Sequence, residues 1–158
     1  MTHGNLEMTQ PVEVVLIEDN PLDAELTINT FKKNNIINEV RLLKDGQEAV
    51  DYFFKKNSGH HYTRPRVILL DLSLPKVPGL DVLKKLKSDA KTKSIPVVVL
   101  TSSHEDKDII ECYRLGVNSY IVKPIDFEKF VILLTNLKMY WVITNQPTNQ
   151  PTNIMFNK

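Results

Sequence analysis

Five polar side chains draw attention because together they close four apolar runs. Val12-Glu-Val-Val-Leu-Ile17 ends on Glu18 and Asp19, and Val67-Ile-Leu-Leu70 ends on Asp71. Ile95-Pro-Val-Val-Val-Leu100 ends on Thr101, and Ser119-Tyr-Ile-Val122 ends on Lys123. Carboxylates sharing one pocket repel and call for a cation, and hard oxygen ligands with open positions suit Mg²⁺. A lysine in the same pocket calls for a further anion, and Thr101 adds a hydroxyl donor. Metal, ammonium and hydroxyl around one carboxylate make a place for a phosphoryl group on Asp71. Carboxylates are nucleophiles of this kind and give aspartyl phosphates. Catalysis there is positioning plus charge neutralisation.

The elements between these residues are those that bring them together. The β-branched and Leu runs read as strands buried on both faces, which belong to parallel sheets covered by helices. Asn20-Pro21 starts a helix with an N-cap residue and Pro at the first helical position. Leu22, Leu26, Ile28 and Phe31 are expected to form its apolar face, up to Lys33. Glu39 to Leu43 is a second strand, more alternating and so nearer the sheet edge. Asp45-Gly-Gln-Glu48 resembles a capping box ahead of a helix holding Ala49, Val50 and Phe53. Gly79 leads into a helix with Leu80, Val82, Leu83 and Leu86, and His104 to Leu115 is another, stopped by Gly116. Asp126 caps a last helix running to about Ile143. Parallel crossovers of one hand place every strand's carboxyl end on one edge, so Glu18, Asp19, Asp71, Thr101 and Lys123 meet at one rim.

The whole chain sets the frame. Its 158 residues fit one domain with a real core, flanked by a flexible segment at 1–11 and a polar tail at 144–158. A formal net charge of +1 argues against a nucleic-acid partner. The single cysteine, Cys112, cannot form an intrachain disulfide and fits a reducing compartment. No run reaches the roughly 18 apolar residues of a membrane span, and no membrane is expected as a partner. Met1 to Gln10 has no signal-peptide core, and the protein is read as cytoplasmic. His60-His61 lies in a polar loop without a Cys or acid at ligand spacing, so it reads as a solvated loop. Cys112 reads as a small apolar helix residue.

The set Glu18-Asp19, Asp71, Thr101 and Lys123-Pro124 resembles the receiver domain of two-component response regulators. The resemblance covers about Val12 to Ile143. Finer features are similar to single-domain regulators paired with bacterial phytochromes: Leu70-Asp-Leu-Ser-Leu-Pro-Lys76, Val98-Val-Leu-Thr-Ser-Ser103, Tyr120-Ile-Val-Lys-Pro124 and Tyr140-Trp141. It implies an α/β flavodoxin-like receiver fold over 12–143, a doubly wound five-stranded parallel sheet of order 2-1-3-4-5. It implies that Asp71 accepts a phosphoryl group from the phosphohistidine of a sensor histidine kinase. Asp19, Asp71 and the Ser73 carbonyl would hold Mg²⁺, with Glu18 acting mostly through water. Lys123 would pair with phosphoryl oxygens, its turn fixed by a cis bond to Pro124. Thr101 would swing toward the phosphoryl group and Tyr120 would follow it inward. Lys76-Val-Pro-Gly79 departs from the family, which commonly has an acid or polar residue before the glycine.

Output is expected by protein binding or by onward transfer to a histidine phosphotransfer protein. An aspartyl-nucleophile phosphatase of the haloacid dehalogenase type is a rival reading, but it wants a second acid where Ser73 stands. A flavodoxin-like FMN carrier is another, but Glu18-Asp19 would repel the phosphate. Along the last helix Phe127, Phe130, Val131, Leu134, Leu137 and Trp141 are expected to form the core stripe. Ile132, Leu133, Met139, Tyr140, Val142 and Ile143 add a second apolar face, the mark of an interface. A homodimer through Phe130, Leu133, Tyr140 and Trp141 is expected, with a folded-back tail as the alternative. The tail repeats Thr-Asn-Gln-Pro, is polar and builds no core.

Overall fold

The computed structural model describes residues 14–33, 39–55, 64–102 and 106–136. The terminal segments, His60-His61, His104, Met139, Tyr140 and Trp141 lie outside the described residues. Strands and helices alternate: β1 Val14–Ile17, α1 Pro21–Lys33, β2 Val40–Leu43, α2 Gly46–Phe54, β3 Val67–Asp71, α3 Gly79–Ser88, β4 Val97–Thr101, α4 Asp106–Arg114, β5 Ser119–Val122 and α5 Phe127–Asn136. All pairings are parallel, in the order β2-β1-β3-β4-β5. The chain thus has the doubly wound receiver-type architecture that its sequence predicts.

Every residue of β1, β3 and β4 is buried, as expected of parallel strands with helices on both faces. β2 is half-exposed at the sheet edge. Alternate residues face opposite ways and build two cores. Val15, Ile17, Ile68, Leu70, Val97 and Val99 pack with α2, α3 and Cys112 of α4. Leu16, Leu69, Val98 and Leu100 pack with Ala24 and Phe31 of α1 and with Phe130 and Leu133 of α5. Each such aliphatic side chain contributes about 1.5–3 kcal/mol by leaving water. Phe31 and Phe130 join α1 to α5, their ring centroids 4.6 Å apart.

Two helix faces differ from the sequence expectation. On α1, Leu22 and Leu26 are exposed, at 76% and 53%. Ala24 and Thr27 take their place facing the sheet, beside Phe31 and the partly buried Ile28, which lie on the expected face. Small Ala24 lets the first turn lie close to the sheet, and a leucine there would hold it off. On α5, Leu133 faces the core at 6% exposure beside Phe130 at 0%. Phe130 takes its expected place in the core stripe and Leu133 leaves the second face to join it, so neither is available as an interface residue and the dimer face drawn through them is corrected. Ile132 is the large apolar side chain of α5 left exposed among the described residues.

The starts of the helices follow local chemistry. Asn20 Oδ1 accepts from the N–H groups of Leu22 and Asp23, at 2.9 and 3.1 Å. Asp45 Oδ1 accepts from Glu48 N–H at 2.7 Å, while the Glu48 carboxylate accepts from Lys44 N–H, one residue before the cap. Two glycines permit close approach behind the sheet rim. A Cβ on Gly46 would overlap the backbone of Val77, and one on Gly79 would sit 2.6 Å from the Asp71 carbonyl oxygen. Between them Lys76 takes a left-handed φ of 67° and pairs with Asp45 at 3.2 Å. The loop after β3 is therefore held against α2.

Candidate functional site

Strand register sets the rim. Ile17 pairs with Leu70, Asp71 with Leu100, and Thr101 with Val122. The residues following β1 and β5, and those ending β3 and β4, arrive at one edge. Carboxylate oxygens of Glu18, Asp19 and Asp71 lie within 4.8 Å of one another. Glu18 and Asp71 are buried and Asp19 is exposed, so the group opens to solvent on one side.

Lys123 reaches into this group from the end of β5. Its Nζ donates to Glu18 Oε2 at 2.8 Å, to Asp71 Oδ2 at 2.9 Å and to Asp23 Oδ2 at 3.2 Å. The other oxygen of Asp71 accepts from Ser73 N–H at 3.0 Å, and the other oxygen of Glu18 accepts from Asn20 N–H at 3.2 Å. Thr101 is buried, and its carbonyl accepts from Lys123 N–H at 2.8 Å. That bond ties the backbone of Lys123 to the end of β4. The Lys123–Pro124 peptide is cis.

The buried charges respond to each other. The Glu18 carboxyl is raised from 4.5 to about 7, chiefly by burial, with the Lys123 ammonium pulling against the rise and Asp71 adding to it. Burial also pulls Lys123 down, but its bonds to Glu18 and Asp71 outweigh this and hold the ammonium well above its ordinary value. The pocket thus carries a firmly fixed cation and more acid than that cation neutralises. Three hard oxygen donors at this spacing fit a divalent cation of the Mg²⁺ type.

The sequence-predicted residues Glu18, Asp19, Asp71, Thr101 and Lys123 all come to this edge. Ser73 and Pro124 flank it and are exposed. Tyr120 stands deeper, paired with Val99 in the sheet and half-buried, its ring edge-on to Tyr113 at 6.2 Å. Asp23 is the residue that sequence reasoning missed. The signal was present, because Asn20-Pro21 fixes the start of α1 and puts Asp23 in its first turn.

Fold and acidic rim together are those of a receiver-type signalling domain, and the comparisons with known proteins agree. Residues 14–135 match the response regulator receiver domain, and the chain belongs to that family. It is 38% identical over 141 residues to the probable methanogenesis regulatory protein FilR2 of Methanothrix harundinacea, covering 89% of this chain and 90% of that one. It is 35% identical over 138 residues to the response regulator Rcp1 of Synechocystis sp., covering 87% and 94%. The bacteriophytochrome response regulator RtBRR superposes with a TM-score of 0.76 at 41% identity, covering 89% of this chain and 86% of that one. The Mn²⁺-bound form of Rcp1 superposes with a TM-score of 0.70 at 34% identity, over 86% and 98%.

Proposed function

We propose that the chain is a response regulator that accepts a phosphoryl group on Asp71 from the phosphohistidine of a sensor histidine kinase. The observation that carries this reading is the Lys123 ammonium, which bridges the buried carboxylates of Asp71 and Glu18 beside exposed Asp19. In the transfer, an Asp71 carboxylate oxygen bonds to phosphorus as the P–N bond of the donor breaks. The departing imidazole keeps the electron pair and takes up a proton. Glu18, Asp19, Asp71 and the backbone carbonyl of Ser73 would hold Mg²⁺, which when bound neutralises charge on the phosphoryl oxygens. The Mn²⁺ form of Rcp1 supports a divalent ion in such a domain. Lys123 stabilises the same oxygens, and the Thr101 hydroxyl donates to them after rotating inward. Tyr120 follows Thr101, altering the surface of α4, β5 and α5, a bistable element biased by local charge.

The domain is a kinase substrate, not a turnover enzyme, and it works in the cytoplasm. A phytochrome-type kinase is the partner best supported, by the likeness to RtBRR. Output is by protein contact or by onward transfer to a histidine phosphotransfer protein. A homodimer through the last helix is retained as part of the reading, resting on exposed Ile132 and on Tyr140 and Trp141. Neither nucleic acid nor membrane is a partner. Incubation with acetyl phosphate and Mg²⁺, followed by intact mass, tests the central claim. One phosphate adduct that Asp71→Asn abolishes is expected, and no adduct from any small donor would overturn it.

A further inference from the structure

The Lys123 ammonium has three N–H groups, and three carboxylates take them. Phosphorylation makes Asp71 an acyl phosphate without a carboxylate charge, so one phosphoryl oxygen can take over its N–H, and a second bond from the phosphoryl group to Lys123 must displace Glu18 or Asp23. The three partners are not equivalent. Glu18 and Asp71 lie at 2.8 and 2.9 Å with side chains 1% and 4% exposed. Asp23 lies at 3.2 Å with its side chain 43% exposed. Glu18 released from its cation would be left a buried, uncompensated carboxylate, which is expensive. A half-exposed one is rehydrated at once.

We propose that Asp23 is a positioning residue that holds the third N–H of Lys123 in the resting state and yields it to the phosphoryl group. This rests on the phosphoacceptor reading above. Asp23 sits in the first turn of α1, where Asn20 Oδ1 fixes its backbone N–H, so its carboxylate is held at the pocket mouth. It makes Lys123 straight and pre-aimed before transfer. It also competes with the phosphoryl oxygens afterwards, as an extra negative charge on the same ammonium. Asp23 therefore lowers the occupancy of the phosphorylated form and shortens its life. Loss of the group is hydrolytic: water bonds to phosphorus, the P–O bond to Asp71 breaks, and Asp71 regains its carboxylate as dihydrogen phosphate departs with the water's oxygen and both its protons. Lys123 paired with the phosphoryl oxygens stabilises the intact adduct, and Asp23 draws it away.

Asp23→Asn and Asp23→Glu, with the wild type, are phosphorylated with acetyl phosphate and Mg²⁺ and followed by intact mass after donor removal. Asp23→Asn is expected to reach half occupancy at lower donor concentration and to keep its adduct roughly two- to fivefold longer, the range a half-exposed ion pair commands. Asp23→Glu keeps the charge and should stay near wild type. The gap between Asp23→Asn and wild type should narrow at high salt, which a purely structural defect would not do. Matching thermal melts show that the variants fold. If wild type takes up phosphate and Asp23→Asn is indistinguishable from it, or holds phosphate more briefly, the inference falls alone. If wild type takes up none, the phosphoacceptor reading falls and this inference with it.

Discussion

Glu18 should make the metal-free protein lose stability as pH rises from acid to neutral. Its carboxyl is 2% exposed, and burial lifts it from 4.5 to about 7 in the folded state. Below pH 4.5 folded and unfolded chains both hold the proton, and the contribution is fully present. Between the two values the folded chain holds on to a proton that the unfolded chain has released. The contribution is lost as pH climbs through about 7. At about 1.4 kcal/mol per tenfold change, the gap between 4.5 and about 7 corresponds to about 3 kcal/mol. Glu18→Gln fixes a neutral side chain of the same shape, and every other titrating group is common to both proteins. Urea unfolding of the pair in chelator, from pH 4 to 8.5, isolates the effect. The stability difference should move by about 3 kcal/mol in favour of Glu18→Gln between acid and neutral pH. A flat difference across that window would refute the account of Glu18 as a carboxylate held in the pocket at a cost. Mg²⁺ should then stabilise the wild type at neutral pH, by about 2.7 kcal/mol at a hundredfold excess over its dissociation constant.

Other outcomes follow from the packing, each read by denaturant unfolding. Leu133→Ala should cost about 2–5 kcal/mol because the side chain fills the core beside Phe130, while Ile132→Ala, on the exposed side of the same helix, should stay within about 0.5. Gly79→Ala should cost about 1–3 kcal/mol, since its Cβ meets backbone atoms of Asp71 and Leu72, and should slow adduct formation on Asp71 in intact-mass time courses. Asn20→Ala should cost about 1 kcal/mol by uncapping α1.

The sheet and its rim were legible because apolar runs ending on polar residues carry two signals at once. The runs fix buried parallel strands, and the crossover rule puts their ends together. The sequence pattern therefore puts Glu18, Asp71 and Lys123 beside each other, and the distances of 2.8 and 2.9 Å agree. What the sequence hid lies on the helices. A helical stripe has two nearly equal readings when Leu22 and Leu26 compete with Ala24 and Thr27 for the turns before Phe31. Hydrophobicity favours the leucines, yet the sheet admits the smaller residue near the rim. On α5 a stripe apolar almost all round left the core side undetermined, and Leu133 fell on the wrong face. Asp23 escaped because an acid in a first turn is ordinary dipole chemistry, and only the reach of Lys123 across from β5 gives it another partner.

The most direct test of the central claim is the position of the phosphoryl group itself. The protein is phosphorylated with acetyl phosphate and Mg²⁺, reduced with borohydride to convert an acyl phosphate to homoserine, digested and sequenced by mass spectrometry. Homoserine at position 71, and at no other acid of the Glu18, Asp19 and Asp23 group, is the predicted result. A reduced carboxyl at another of these acids (homoserine at Asp19 or Asp23, 5-hydroxynorvaline at Glu18), or phosphate on a hydroxyl or histidine with position 71 unchanged, would contradict it.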